Sequence, residues 1–204
     1  MYTYESLAKL SRDELENILR TGTPPDLEEL NGYIYCGWNH EWIGNLSGKK
    51  FKKGFMKKNG KNFGFNEIVI QDGKEYLGEW KQRLTKSGKP EQLGYFRTSY
   101  VKDEPDIKLY RPYRHLAHFN YNIDGFHKWY HSFFRVIRDF VVCPNEGDNT
   151  LMLCKAYLRV FPFLNIFYCY FLLGHREKIK YLPWAAEETG VQGLTQDMSL
   201  VDQE

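Results

Sequence analysis

Apolar positions along this chain recur at two different spacings. Near the start, Leu15, Ile18 and Leu19 fall at helical spacing behind Ser11-Arg12-Asp13-Glu14, a stretch with the S-x-x-E form of a capping box. Gly22 and then Pro24-Pro25 end the pattern, so a helix is expected over residues 11–21. Whether Leu7 and Leu10 belong to an earlier turn is left open by the pattern. After Asp26 the texture changes to runs rich in Tyr, Phe, Ile and Val separated by turn residues, the mark of strands.

Strands are expected at 31–38, 49–57, 63–70, 74–83, 93–101, 107–121 (bent at Pro112), 134–142, 150–160 and 166–173. Asn59-Gly60 is a strong tight-turn dipeptide, and Asp72-Gly73 between alternating runs reads as a hairpin turn. Residues 125–134 fit a helix or a strand. The fold class expected is mainly β: an antiparallel up-and-down barrel, or a strongly curved sheet, of about eight or nine strands with an N-terminal helix. One barrel domain would occupy residues 1–184, and the acidic, small-residue-rich stretch 185–204 reads as a disordered tail.

The most apolar stretch, FPFLNIFYCYFLLG at 161–174, raises the question of a membrane span in a chain whose mean hydropathy is -0.58. As a helix it would be about 21 Å long, against a hydrocarbon core of about 30 Å. Arg159, Pro162, Asn165 and His175-Arg176 interrupt or flank it. As a strand it alternates Phe167, Cys169, Phe171 and Leu173 with Ile166, Tyr168, Tyr170 and Leu172. Both faces are apolar, as expected of a barrel strand lying under a helix.

Composition narrows the picture in three ways. Aromatic residues make up 17% of the chain, which supports strands and a large apolar interior. The four cysteines, Cys36, Cys143, Cys154 and Cys169, form no CxxC pair and read as buried free thiols. With no apolar signal core at the N-terminus, they point to a cytoplasmic protein. The net charge of +2 argues against nucleic acid as the main partner.

Two segments carry candidate chemistry. GKKFKKGFMKKNGK (48–61) has seven lysines and no acid. It reads either as a solvated strand and turn or, through Lys49–Lys61 together with the apolar tip Phe161–Leu164, as a membrane-surface contact. The stretch 110–131 gathers His115, His118, His127 and His131 with Arg111 and Arg114. His127 and His131 lack the glutamate of an HExxH motif, so no metal is expected, and no cofactor motif is present. Arg138 and Asp139 are adjacent in an expected strand, so one must face inward and find a partner.

LNGYIYCGW (30–38), with Gly32 and Gly37 flanking Tyr33 and Tyr35, follows the expected helix. By this strand the chain resembles bacterial lipocalin-like (calycin-type) barrel proteins with a Gly-x-Trp-x-Gly-type signature. Here a tyrosine takes the aromatic place, and a literal G-x-W occurs only at Gly78-Glu79-Trp80. The resemblance implies an internal cavity for a small apolar molecule and supplies no catalytic residue. The expected function is therefore binding of a small apolar or aromatic, fatty-acid-like ligand. Its wall would draw on Tyr33, Tyr35, Trp38, Phe65, Trp80, Phe96, Tyr110, Phe119 and Phe134, with Arg111, Arg114, His115 or Arg138 meeting a polar head. The alternatives are an enzyme using the same His, Arg and Asp groups as acid and base, or a peripheral membrane or interaction protein.

Overall fold

A computed structural model describes residues 1–40, 48–104, 107–123, 129–161 and 164–181. Eight antiparallel strands run in chain order around a closed barrel. They are β1 (Tyr33–Asn39), β2 (Lys50–Lys58), β3 (Lys61–Ile68), β4 (Gln92–Tyr100), β5 (Ala117–Asn120), β6 (Ile137–Val142), β7 (Met152–Phe161) and β8 (Leu164–Lys178). β8 pairs with β1, with Leu173 opposite Gly37, so the 161–174 run supplies the closing strand. Among the described residues no helix is long and apolar enough to cross a membrane.

Two helices precede the barrel, α1 (Tyr4–Ala8) and α2 (Arg12–Thr21). The Ser11–Glu14 capping box forms as expected: Ser11 Oγ accepts from the Glu14 amide, and the Glu14 carboxylate accepts from the Ser11 amide. Gly22 ends α2 without a left-handed turn, its φ being -76°. A side chain there would collide with Val142, so the glycine provides close packing of the chain on the barrel. Leu15, Ile18 and Leu19 of α2 join Phe140, Val142, Leu153, Tyr170 and Leu172 in an apolar layer outside the barrel wall.

A second apolar cluster fills the barrel itself, and Tyr35, Phe55, Phe96, Phe119, Val141, Cys154, Cys169 and Phe171 belong to it. Segment 23–32 crosses one end of the barrel. Leu27 and Leu30 are buried against the interior, Thr23 accepts from the Cys143 amide, and the Gly32 amide donates to Phe55. The other end, here called the mouth, is covered by the half-buried Phe51, Phe134, Ile137 and Tyr168.

Several expected elements differ. The run 74–83 forms no strand; an isolated bridge between Val69 and Gln82 is all that remains of the expected hairpin. Asp72 is instead drawn to Lys50, whose Nζ lies 2.7 Å from Asp72 Oδ1. Residues 107–121 contribute a 3-10 segment, Ile107–Tyr113, and then the short β5, because Pro112 cannot donate to a ladder. Trp129–Val136 is another 3-10 segment. Asn59 and Gly60 both take positive φ (51° and 71°), which makes the β2–β3 turn the one their sequence favours. The tail 185–204 lies outside the described residues.

Candidate functional site

The site grows out of one register. In β2, Phe51, Lys53 and Phe55 share a face, and that face looks into the barrel, since Tyr35 pairs with Lys53 and Gly37 with Phe51. The Lys53 side chain, 2% exposed, therefore lies inside an apolar barrel. Its Nζ sits 4.5 Å from the Phe96 ring centre and 5.1 Å from those of Tyr121 and Phe171.

Asp139 supplies the counter-charge. It projects inward from β6 between Phe119 on β5 and Ala156 on β7. Lys53 Nζ donates to Asp139 Oδ2 at 3.1 Å and to the Tyr121 hydroxyl at 2.5 Å. The Tyr121 hydroxyl donates to Asp139 Oδ2 at 3.3 Å and accepts from Asn66 Nδ2 at 3.2 Å. Burial raises the pKa of Asp139 against the opposing pull of Lys53, so its carboxyl takes a proton more readily than an exposed aspartate. Burial and the neighbouring Asp139 keep the Tyr121 hydroxyl protonated.

This polar cluster lies below the mouth. The rings of Tyr121 and Phe134 stack with centres 6.4 Å apart, and Phe134 also lies over Gly94. Towards the closed end the interior is filled by rings: Phe55 meets Tyr35, Phe96 and Phe119 at centre distances of 5.6, 5.9 and 5.2 Å. A ligand reaching Lys53 must therefore come from the mouth.

The wall residues expected from sequence divide into three groups. Tyr35, Phe96, Phe119 and Phe134 come together in the interior, with Tyr33 half-buried beside them. Trp38, Phe65, Trp80 and Tyr110 lie outside the barrel wall: Trp38 and Tyr110 under the helical layer, Phe65 over Gly54, and Trp80 with its indole N–H on the Gly37 carbonyl at 2.8 Å. Arg138 also faces outward, its Nη1 donating to the Arg135 and Ile137 carbonyls. Arg111, Arg114 and His115 are exposed on the connection between β4 and β5 and do not meet the interior.

Among the described histidines, none pairs with Asp139. His118 faces outward, 3.5 Å from Glu104 Oε1, while Asp139 faces the interior. His127 lies outside the described residues, as does the side chain of His131. Among the described residues no group of His, Cys, Asp and Glu is arranged to hold a metal. Most lysines of the basic run are not solvated as one sequence reading had it. Lys50, Lys52, Lys53 and Lys58 are buried; Lys52 pairs with Glu177, and the exposed Lys57 with Glu28 at 2.7 Å. Lys53, Asn66, Tyr121 and Phe171 were missed as site residues. The alternation Phe51-Lys53-Phe55, a lysine on the face of two phenylalanines, is the signal that pointed to the first.

No protein-family model matches the chain, and no curated protein matches it.

Proposed function

We propose that this protein is a lipocalin-like binding protein for a small, largely apolar molecule with an acidic head, a fatty-acid-like amphiphile. The observation that carries the reading is the Lys53–Asp139 ion pair, with Tyr121 and Asn66, inside a barrel otherwise lined by apolar groups. A buried ion pair contributes no more stability than apolar side chains of the same volume, so its place here fits a binding role. Lys53, Tyr121 and Asn66 offer donors for a carboxylate, and Phe51, Phe134 and Tyr168 offer apolar surface along the way in. As the acid enters, Asp139 takes a proton and the ligand's carboxylate replaces it beside Lys53, so the interior keeps one positive and one negative charge. Four buried free thiols fit a reducing, cytoplasmic setting.

The test is calorimetric titration with dodecanoate and hexadecanoate, in two buffers of different ionisation enthalpy. Saturable binding with uptake of about one proton is expected, weakened at least about tenfold in Lys53→Met. Absence of saturable binding below the micellar range, or binding indifferent to Lys53, overturns the reading.

A further inference from the structure

Lys50, Lys52, Lys53, Lys58 and Lys155 are the buried lysines among the described residues. Register sets Lys53 apart from the rest. Lys50, Lys52 and Lys58 lie on the opposite face of β2, and Lys155 lies outside the wall on β7, where its Nζ donates to Glu16 Oε2 at 2.7 Å. Of these lysines, Lys53 is the one whose amine enters the barrel. Its Nζ lies 5.8 Å from the ring centre of Phe51, which is half-buried at the mouth. The amine is thus one ring removed from the entrance.

A primary amine in an apolar interior attacks a carbonyl carbon once it has given up its proton. Asp139 Oδ2, at 3.1 Å from Lys53 Nζ, is placed to take that proton. Burial raises the pKa of Asp139, so its carboxyl holds a proton well enough to return it later. The Tyr121 hydroxyl lies within hydrogen-bond distance of both groups, where it can donate to an oxygen beside them. Charge balance also suits an aldehyde. Its neutral head adds no charge to the interior, and its product with Lys53 is again one cation facing one carboxylate. The surrounding rings of Phe96, Phe119 and Phe171 keep out the water that would hydrolyse such a product.

We propose that Lys53 forms a Schiff base with a long-chain aldehyde, with Asp139 as the base and acid of the step. The Lys53 ammonium passes one proton to Asp139. The freed lone pair on Nζ forms the C–N bond while the carbonyl π bond breaks, and a proton moves from Nζ to the oxygen to give a neutral carbinolamine. Asp139 then protonates the hydroxyl, the C–O bond breaks, and water leaves. What remains is a protonated imine facing the Asp139 carboxylate, with no change of oxidation state. The inference rests on the preceding reading for the route from the mouth and for the apolar chain; its covalent chemistry is tested apart from that reading.

The experiment incubates the whole chain with equimolar dodecanal and sodium cyanoborohydride, which reduces a protonated imine to a stable secondary amine. Mass spectrometry is expected to show one adduct per chain, heavier by dodecanal less water plus two hydrogens. Peptide mapping should place it on Lys53, labelled at least about tenfold faster than exposed lysines such as Lys61 and Lys86. This map of the wild-type protein decides the site without any variant. Asp139→Asn should slow labelling of Lys53 at least about tenfold and leave that of Lys61 and Lys86 unchanged. Labelling spread evenly over the exposed lysines overturns the proposal, as does labelling of Lys53 at the wild-type rate in Asp139→Asn. Wild-type protein that binds dodecanoate but gives no adduct at Lys53 overturns it too, and leaves the acidic head group standing. An adduct at Lys53 in a protein that binds no dodecanoate would refute the acidic head group alone.

Discussion

Lys53 Nζ, on β2, and Asp139 Oδ2, on β6, meet at 3.1 Å in the interior of the barrel, each side chain 2% exposed. The strands that bear them are not neighbours in the barrel, so the pair spans the lumen. Removing one partner strands a charge in an apolar space, and that cost exceeds what the pair contributes. Lys53→Met is therefore expected to lower unfolding free energy by about 3 kcal/mol. The double variant Lys53→Met with Asp139→Leu should recover most of that loss while binding no dodecanoate. Urea denaturation of the four proteins of this cycle decides the matter. A double variant less stable than either single one would mean that the pair holds the fold together and is not maintained for a ligand.

Acid should weaken the fold in two windows, both set at one place on the outer wall. Glu104 accepts from Arg97 Nη2 at 2.9 Å and from the Ser99 hydroxyl, with His118 at 3.5 Å. Burial works to raise the Glu104 pKa, yet its partners outweigh burial and bring it down to about 2 from an ordinary 4.5. Its stabilisation is present above pH 4.5 and is lost as pH falls towards 2. His118, stacked on Phe140, has its pKa lowered by burial, against the pull of Glu104 and with Arg138 also opposing protonation. It is neutral in the fold and charges on unfolding, so its contribution is lost as pH falls below 6.5. Urea midpoints measured from pH 7 to pH 3 should show both losses. Glu104→Gln should shrink the lower window and, by removing the pull that raises the His118 pKa, deepen the upper one, whereas His118→Phe should remove the upper one.

The sequence discloses what local chemistry decides. Ser11 and Glu14 are three residues apart and cap α2 without outside help, and Asn59-Gly60 needs no more than its own backbone freedom. Adjacency alone says that Arg138 and Asp139 face opposite ways, but the choice of Asp139 for the interior depends on pairing with β5 and β7. Alternation in 166–173 puts Cys169, Phe171 and Leu173 on one face, and pairing with β1 and β7 turns that face inward. It fails at Phe167, because a bulge opposite Ala156 and Tyr157 inserts Tyr168 as an extra residue and switches the faces. Phe167 then packs in the outer layer and Tyr168 against the interior. The Asp72-Gly73 hairpin is lost to a long-range competitor, Lys50, that no local pattern reveals.

Close approach of rings to backbone sets a further expectation. Gly64 on β3 faces the interior opposite Phe55 and Phe96, and a Cβ there would fall on the Phe96 ring and on the Gly54 carbonyl oxygen. Phe96 also packs on Phe119, at 5.1 Å between ring centres, so it cannot retreat freely. Gly64→Ala should cost about 1–3 kcal/mol in urea unfolding through overpacking. Gly60→Ala, in a turn with open space around it but a φ of 71°, should cost about 1 kcal/mol from backbone strain alone. Equal effects from the two would mean that Phe96 gives way.

Helix α2 is held to the barrel by a single acidic residue as well as by its apolar stripe. Glu16 Oε2 accepts from Lys155 Nζ at 2.7 Å and from the Tyr170 hydroxyl at 2.6 Å, and Oε1 accepts from the Tyr113 hydroxyl at 3.1 Å. Lys155, buried on the outer face of β7, lies among the rings of Tyr113, Tyr157, Phe167 and Tyr170. Glu16→Ala leaves that ammonium without its carboxylate, a loss of about 2–3 kcal/mol for a hydrogen bond to a charged group. Leu15, Ile18 and Leu19 remain to hold the helix, so the loss should be local. Hydrogen exchange should quicken in residues 12–21 of Glu16→Ala while the amides of β2 and β6, which carry Lys53 and Asp139, keep wild-type protection. Equal acceleration in both places would show that the helix and the barrel unfold as one unit.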